Sequence, residues 1–161
     1  MIKSAMQIAY ATAILFLPSP AAAFDEAQVE QFKQTHVCDG CDLSGADLSG
    51  IELKSGGSAD DANFSGANLS GADIRNFNMN RANLENVNLE GTQTLNLQMF
   101  QTKLIKANLK NTSLRFVNLT QADLTGADLA GAAIDLDLLL KVDAKLCNTT
   151  MPDGSVNDSG C

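Results

Sequence analysis

The chain has 161 residues, enough for one domain with an ordinary core, and its formal net charge is −8. It contains a single histidine, which leaves no second histidine for a His-based catalytic pair, and no nucleophile motif or phosphate-binding glycine loop is visible. These features favour a protein that is not an enzyme and uses no cofactor. We also expect no nucleic acid partner.

The first 23 residues have the order of a secretory signal peptide. Lys3 precedes an apolar run over 5–17, and the alanines at 21–23 are followed by acidic residues. The alternative is a retained membrane anchor, but about 13 apolar residues are too few to span roughly 30 Å of hydrocarbon. We therefore expect cleavage after Ala23, export, and no membrane contact of the mature chain. The compartment is the periplasm in a Gram-negative source, and otherwise lumenal or extracellular.

Large apolar residues recur every five positions over most of the chain. The predicted core consists of Leu43, Leu48, Leu53, Phe64, Leu69, Ile74, Met79, Leu84, Leu89, Met99, Leu104, Leu109, Leu114, Leu119, Leu124, Leu129, Ile134 and Leu139. Thr94 is the one polar member, and the residue two positions before each member is usually small. Near Gly56 and Gly57 the phase shifts by one residue.

A five-residue period fits neither a helix nor a flat strand. A helix turns about 100° per residue, so this period would spread the leucines around its surface. In a flat strand, residues five apart would alternate between the two faces. The period fits short extended pieces, each with its small and large residue pointing inward and each followed by a corner. Repeated corners wind the chain into a coil whose sides stack.

The repeated units resemble a known family. Tandem "ANLSG", "ADLSG" and "ADLTG" resemble the pentapeptide-repeat proteins, and the edge segments "CDGCDLSGADL" and "CNTTMPDGSVNDSGC" resemble those of exported members. The resemblance implies an all-β solenoid over 41–140, a right-handed quadrilateral β-helix with four units per turn and about five coils. Residues 20 apart, such as Glu90 and Lys110, should then be vertical neighbours, with the extra residue near Gly57 forming a bulge.

Both ends of such a coil need covers, because an open end exposes apolar core and unpaired backbone. Segment 24–40 places Val29, Phe32 and Val37 at helical spacing, which predicts a short N-terminal capping helix. Segment 141–161 has a Pro-Asp-Gly turn and predicts a disulfide-closed C-terminal cap. The apolar run "DLDLLLKVD" at 135–143 predicts a short helix or a covering strap.

The four cysteines lie at the margins of the repeats. An even number in an exported chain indicates disulfides, and local pairing would join Cys38 to Cys41 and Cys147 to Cys161. Cys38 and Cys41 also have the spacing of a redox dithiol, but the βαβ context is missing. With His36 they offer three zinc ligands, although export favours oxidation. We interpret the cysteines as structural and expect no metal.

The acidity has two interpretations. Loss of Lys3 would change the net charge from −8 to −9. Some pentapeptide-repeat proteins mimic DNA and bind a type II topoisomerase, which makes an inhibitor or protector of that enzyme the main alternative function. Charge also keeps a small exported domain soluble. Because export removes the chain from topoisomerases, we favour a non-catalytic structural or protein-interaction scaffold, whose partner is an unknown protein or a second copy.

One group of outward positions is unexpectedly apolar. Leu95, Phe100 and Phe116 occupy corners where the repeat normally has Ser, Gly, Asn or a charge. We place Leu95 and Phe116 beside the third interior column and Phe100 beside the fourth, around one corner. Such a patch indicates an interaction surface or a region covered by the chain's own termini.

Overall fold

The computed structural model describes residues 25–53 and 55–161, so the predicted signal peptide lies outside the described residues. The regular elements are helices α1 (Glu26–Thr35) and α2 (Leu136–Leu139) and strands β1 (Thr149–Thr150) and β2 (Val156–Asn157). Within the described residues, the helices are too short and too polar to cross a membrane.

Between the two helices the chain forms a coil held together by single-residue parallel bridges. Asn63 pairs with Asn83, and the Leu84 N–H donates to the Lys103 carbonyl at 2.8 Å, so neighbouring levels are 20 residues apart. Bridging residues follow each other every five positions, which gives the coil four sides. We name these the first to fourth side in chain order, after the ladders through Asn63, Asn68, Asp73 and Asn78.

The phase shift near Gly57 is absorbed as predicted. Asp42 pairs with Asn63 across 21 residues, so Leu43 stays in the column of Phe64. A β-carbon on Gly57 would lie 2.3 Å from the Phe77 ring and 2.5 Å from the His36 carbonyl oxygen. Only glycine fits this position because the coil and the chain leaving α1 pass so close together.

The geometry of one unit explains the residue preferences of the repeat. In the unit 62–66, Ala62 and Phe64 are fully buried while Asn63 points outward. The Asn63 Oδ1 atom accepts hydrogen bonds from the Ser65 N–H at 3.1 Å and from the Asn83 side chain at 3.2 Å. Gly66 turns the corner with φ of 68°, a left-handed conformation that Gly and Asn adopt at low cost.

The interior is a continuous apolar core. All predicted core residues are buried except Ile134, which is partly buried at the last level of the third side. Thr94 is also buried, and its hydroxyl donates to the Ser113 carbonyl. The burial of Thr92 was not predicted. This residue occupies a small-residue position, and its hydroxyl donates to the Leu69 carbonyl at 3.0 Å. Polar core residues therefore remain hydrogen-bonded.

Helix α1 packs against the N-terminal end of the core. Asp25 begins the helix by accepting the Ala27 N–H at 2.9 Å, and the Phe32 ring contacts the rings of Phe64 and Phe77 with centroid separations of 5.8 and 6.0 Å. The grouping of Val37 with the apolar face of this helix is wrong. The helix ends at Thr35, and Val37 is 46% exposed and pairs with Ser58 as part of the fourth side.

The C-terminal end is closed by two different elements. On the fourth side the last bridge joins Gln98 to Asn118, and α2 then places the buried Leu139 at this end. The first and second sides continue to Lys145 and Thr150 across steps of 22 residues, and β1 pairs with β2 as an antiparallel hairpin. The ladders thus extend beyond 41–140, because the chain returns to them after the α2 excursion.

Candidate interaction surface

The cysteines form two local disulfides. Cys38 is joined to Cys41 and Cys147 to Cys161, with Cα separations of 5.4 and 4.7 Å, and the described residues contain no free cysteine. Among these same residues no cluster of His, Cys, Asp or Glu has the arrangement of a metal site. His36 ends α1 in a left-handed conformation, with φ of 56°.

The three predicted patch residues differ in position and exposure. Leu95 and Phe116 follow the third side and lie at one corner, but Phe100 follows the fourth side and lies at the next corner. The prediction that all three surround one corner is therefore wrong, because the fourth-side strand separates them. Leu95 and Phe100 are half-buried, whereas Phe116 is 74% exposed.

Phe116 occupies a position that suits asparagine or glycine. Its φ is 56°, and Asn96 and Asn76 occupy the same corner at the two preceding levels with φ of 58° and 56°. The Asn96 side chain donates to the Asn76 Oδ1 atom at 3.0 Å, a ladder that phenylalanine cannot continue. A bulky residue in this conformation lowers the stability of the fold by on the order of 1 kcal/mol. Because the ring is exposed, its burial does not offset this cost.

Helix α2 enlarges the apolar surface beside Phe116. Leu136 and Leu138 of this helix and Leu140, which follows it, are 41%, 45% and 60% exposed. A groove of about 620 Å³ separates α2 from the corner. Its lining consists of Arg115, Phe116, Ala133, Ile134, Asp135 and Leu138. We call Phe116, Ile134, Leu136, Leu138 and Leu140 the Phe116 surface.

The groove also contains an arginine that makes no ion pair. Arg75, two levels below Arg115 on the same corner, donates to Asp73 at 2.8 Å, and the same carboxylate–guanidinium contact joins Asp61 to Arg81. Ser113 stands two residues before Arg115, where Asp73 stands before Arg75. In 25–53 and 55–161, no carboxylate lies within 4.0 Å of the Arg115 guanidinium.

Carboxylates elsewhere on the coil are engaged by neighbours. Hydrogen bonds from the guanidinium of Arg75 lower the pKa of Asp73. Lys110 pairs with Asp128 at 2.9 Å rather than with Glu90, which instead accepts a hydrogen bond from a neighbouring asparagine side chain. The Gly91 N–H donates to the Lys110 carbonyl at 3.0 Å, so the predicted stacking holds although this ion pair does not form.

Sequence reasoning found Phe116 but missed Arg115 and the three exposed leucines. The absence of a carboxylate partner for Arg115 among the described residues could have been predicted from the serine at 113, because arginines of the lower levels have a carboxylate within reach. The leucines were noticed only as an apolar run that needed burial. Their exposure depends on how α2 sits, which no repeat pattern specifies.

A packed apolar interior and stacked five-residue units define a β-solenoid. The family model described as "Pentapeptide repeats" matches residues 62–93 and 99–135 with eight copies. The repeats at 62–93 and 99–135 belong to the pentapeptide-repeat family. A comparison with curated protein sequences gives no significant match.

Solved structures of the same family resemble the chain. HetL, a pentapeptide repeat protein involved in heterocyst differentiation regulation from the cyanobacterium Nostoc sp. strain PCC 7120, matches with TM-score 0.53 and 26% identity over 75% of this chain. The match covers 66% of HetL, just under two thirds of its length. QnrB1, a plasmid-mediated fluoroquinolone resistance protein, matches with TM-score 0.34 and 20% identity over 77% of this chain and 80% of its own. A thylakoid lumen protein of Arabidopsis thaliana gives 0.27 and 23% over 76% and 70%.

Proposed function

We propose that this protein is an exported, non-catalytic scaffold that binds a protein partner through the Phe116 surface. The observation that carries the proposal is Phe116 itself, 74% exposed and held at φ of 56°. Both properties oppose folding stability, and strained exposed residues concentrate at functional sites. The interior offers no competing site because large buried side chains fill it.

Export and the cap assignments belong to the same proposal. The N-terminal segment 1–23 has the composition of a signal peptide, and both cysteine pairs are oxidised, as is usual outside the reducing cytosol. Segments 24–40 and 141–161 act as caps of a right-handed solenoid of about five coils. The two disulfides hold the chain ends against these caps.

Mimicry of DNA for a type II topoisomerase has weaker support. The chain has no Asp or Glu between Glu90 and Asp123. The same stretch carries the cations Lys103, Lys106, Lys110 and Arg115. A DNA-like surface needs negative charge at regular intervals, and this positive level interrupts it.

The test compares variants of the Phe116 surface with a matched control. Phe116→Ser and Leu140→Ser should abolish capture of partners from the protein's own compartment while the melting temperature stays within about 2 °C. Val156→Ser removes an equally exposed apolar side chain from the C-terminal hairpin and should leave capture unchanged. Unchanged capture by Phe116→Ser, or a large drop of its melting temperature, would contradict the proposed docking surface.

A further inference from the structure

We propose that the Phe116 surface pairs with the same surface of a second copy across a two-fold axis. In this contact Arg115 of each copy faces Asp137 of the other. This inference rests on the proposed function, since it names the partner of the same surface. It follows from three properties of the surface: its exposed apolar area, its unpaired charges, and the way these charges complement each other.

The apolar area is sufficient for a weak dimer. Phe116 and the leucines at 136, 138 and 140 are between 41% and 74% exposed and together present on the order of 400 Å². A two-fold contact would bury this area on both copies, with polar rim atoms in addition. The total is near the lower limit of about 1,200 Å² for specific complexes, so we expect reversible association in the micromolar range.

Arg115 and Asp137 form no ion pair within the described part of each copy. Arg115 lines the groove without an ion pair, and Asp137 lies exposed on α2 between Leu136 and Leu138. Among the described residues Asp137 makes no salt bridge, not even with Lys141 one turn further along. Asp135, the carboxylate that lines the groove itself, is engaged within the chain, because its Oδ1 atom accepts the Leu138 N–H at 3.1 Å.

This combination identifies a second copy as the occupant. An occupant of the groove needs a carboxylate next to apolar side chains. The carboxylate then reaches Arg115, while the apolar groups contact Phe116 and Ile134. The exposed sequence Leu136–Leu138 has this chemistry, with an acid between two leucines. In a two-fold contact the same pair of residues meets twice, so Arg115 and Asp137 of both copies each gain a partner of opposite charge. Charge complementarity also fixes the orientation.

The experiment uses the chain expressed with its own N-terminal segment and purified as its host exports it. Sedimentation equilibrium between about 1 µM and 1 mM should show a monomer–dimer equilibrium. Arg115→Asp and Asp137→Arg should each weaken dimerisation at least about tenfold, because each places like charges together twice. An equal mixture of these two variants should recover dimers, since both contacts then join opposite charges.

Two further variants separate this pairing from a general effect of charge or folding. Ser113→Asp gives Arg115 the intramolecular partner that Arg75 has and should weaken dimerisation. Arg75→Asp changes the same charge at the same corner two levels below and should leave the dimer unchanged, with melting temperatures checking that each variant is folded.

The outcomes distinguish this inference from the proposed function. The pairing is overturned by a monomer throughout the range, by a dimer that neither charge variant weakens, or by weakened variants whose mixture does not recover dimers. If the chain is monomeric but Phe116→Ser still loses a captured partner, the docking function stands and the occupant is another protein. If Phe116→Ser changes neither capture nor association, both proposals are wrong.

Discussion

Each end of the solenoid carries a helix, and the two helices differ in how many of their apolar residues are buried. Helix α1 buries Val29 and Phe32, which are 5% and 0% exposed. Helix α2 buries Leu139 but leaves Leu136 and Leu138 exposed, and Leu140 directly after the helix is exposed as well. Both ends must hide an open core, so closure accounts for α1 as a whole and for only one leucine of α2.

The C-terminal hairpin explains why most apolar residues of α2 are not needed to cover the core. Leu146 and Met151, on the segment that continues the first and second sides, are 2% and 7% exposed. This segment covers one half of the end, and α2 needs to cover only the other half. Surface apolar residues of α2 are therefore free for contacts outside the chain, whereas those of α1 are committed to stability.

The largest expected effect is at the α1 end. Phe32→Ala removes a fully buried ring that contacts two other rings and should lower the free energy of unfolding by about 3–5 kcal/mol. Leu140→Ala, at a 60% exposed site of the α2 end, should change it by less than about 0.5 kcal/mol. Urea denaturation measures both. Equal losses would show that the two helices serve the core alike.

The disulfides extend the comparison to the two chain ends. Replacing Cys147 and Cys161 by Ser opens a loop with sequence separation 14 and should cost about 3 kcal/mol in the chain-entropy estimate. The Cys38–Cys41 bridge has a separation of 3, and its removal should cost about 2 kcal/mol. Thermal unfolding of both double variants shows which of the two bridges contributes more to stability. A greater loss at the N-terminal bridge would mean that packing of the buried Cys38 outweighs loop closure.

Much of the coil was predictable because the information is local to each unit. A buried column requires only that Leu84 and Leu104 occupy equivalent positions, and this follows from counting residues. The orientation of Phe100 and Phe116 was not predictable in the same way. Phe100 takes the first corner position and is half-buried, while Phe116 takes the left-handed second position and projects into solvent.

The point where the chain leaves the repeat was also beyond the sequence pattern. Leu139 keeps the five-residue spacing and was placed in the fourth column, and it is indeed buried, but from helix α2 rather than from a strand. The Asp135 side chain caps this helix by accepting the Leu138 N–H. An aspartate at a corner also fits the repeat, so local preference alone does not separate the two structures.

A smaller effect on stability is expected when the pH is lowered. It should occur at the corner of Arg75, which forms an ion pair, and not at the corner of Arg115, which forms none within the described residues. Hydrogen bonds from Arg75 lower the pKa of Asp73 in the folded protein below its ordinary value of about 3.9. The stabilisation is therefore fully present above about pH 5 and is lost as the pH falls through the lower folded pKa. Because the pair is partly exposed to solvent, its contribution to stability is small. Asp73→Asn should flatten the dependence between pH 5 and 2, whereas Ser113→Asn, beside the unpaired Arg115, should not.

The smallest and most specific effect is expected from Phe116→Asn. Asparagine tolerates φ of 56° better than phenylalanine and can continue the ladder in which Asn96 donates to Asn76. The free energy of unfolding should stay constant or rise by at most about 1 kcal/mol, because no buried contact is lost. The reciprocal change Asn96→Phe breaks the ladder one level below and should lower stability by about 1 kcal/mol. Paired urea titrations resolve this difference in sign. A clear loss of stability in Phe116→Asn would mean that the ring serves the fold after all, and the contrast between a committed α1 end and a free α2 end would disappear.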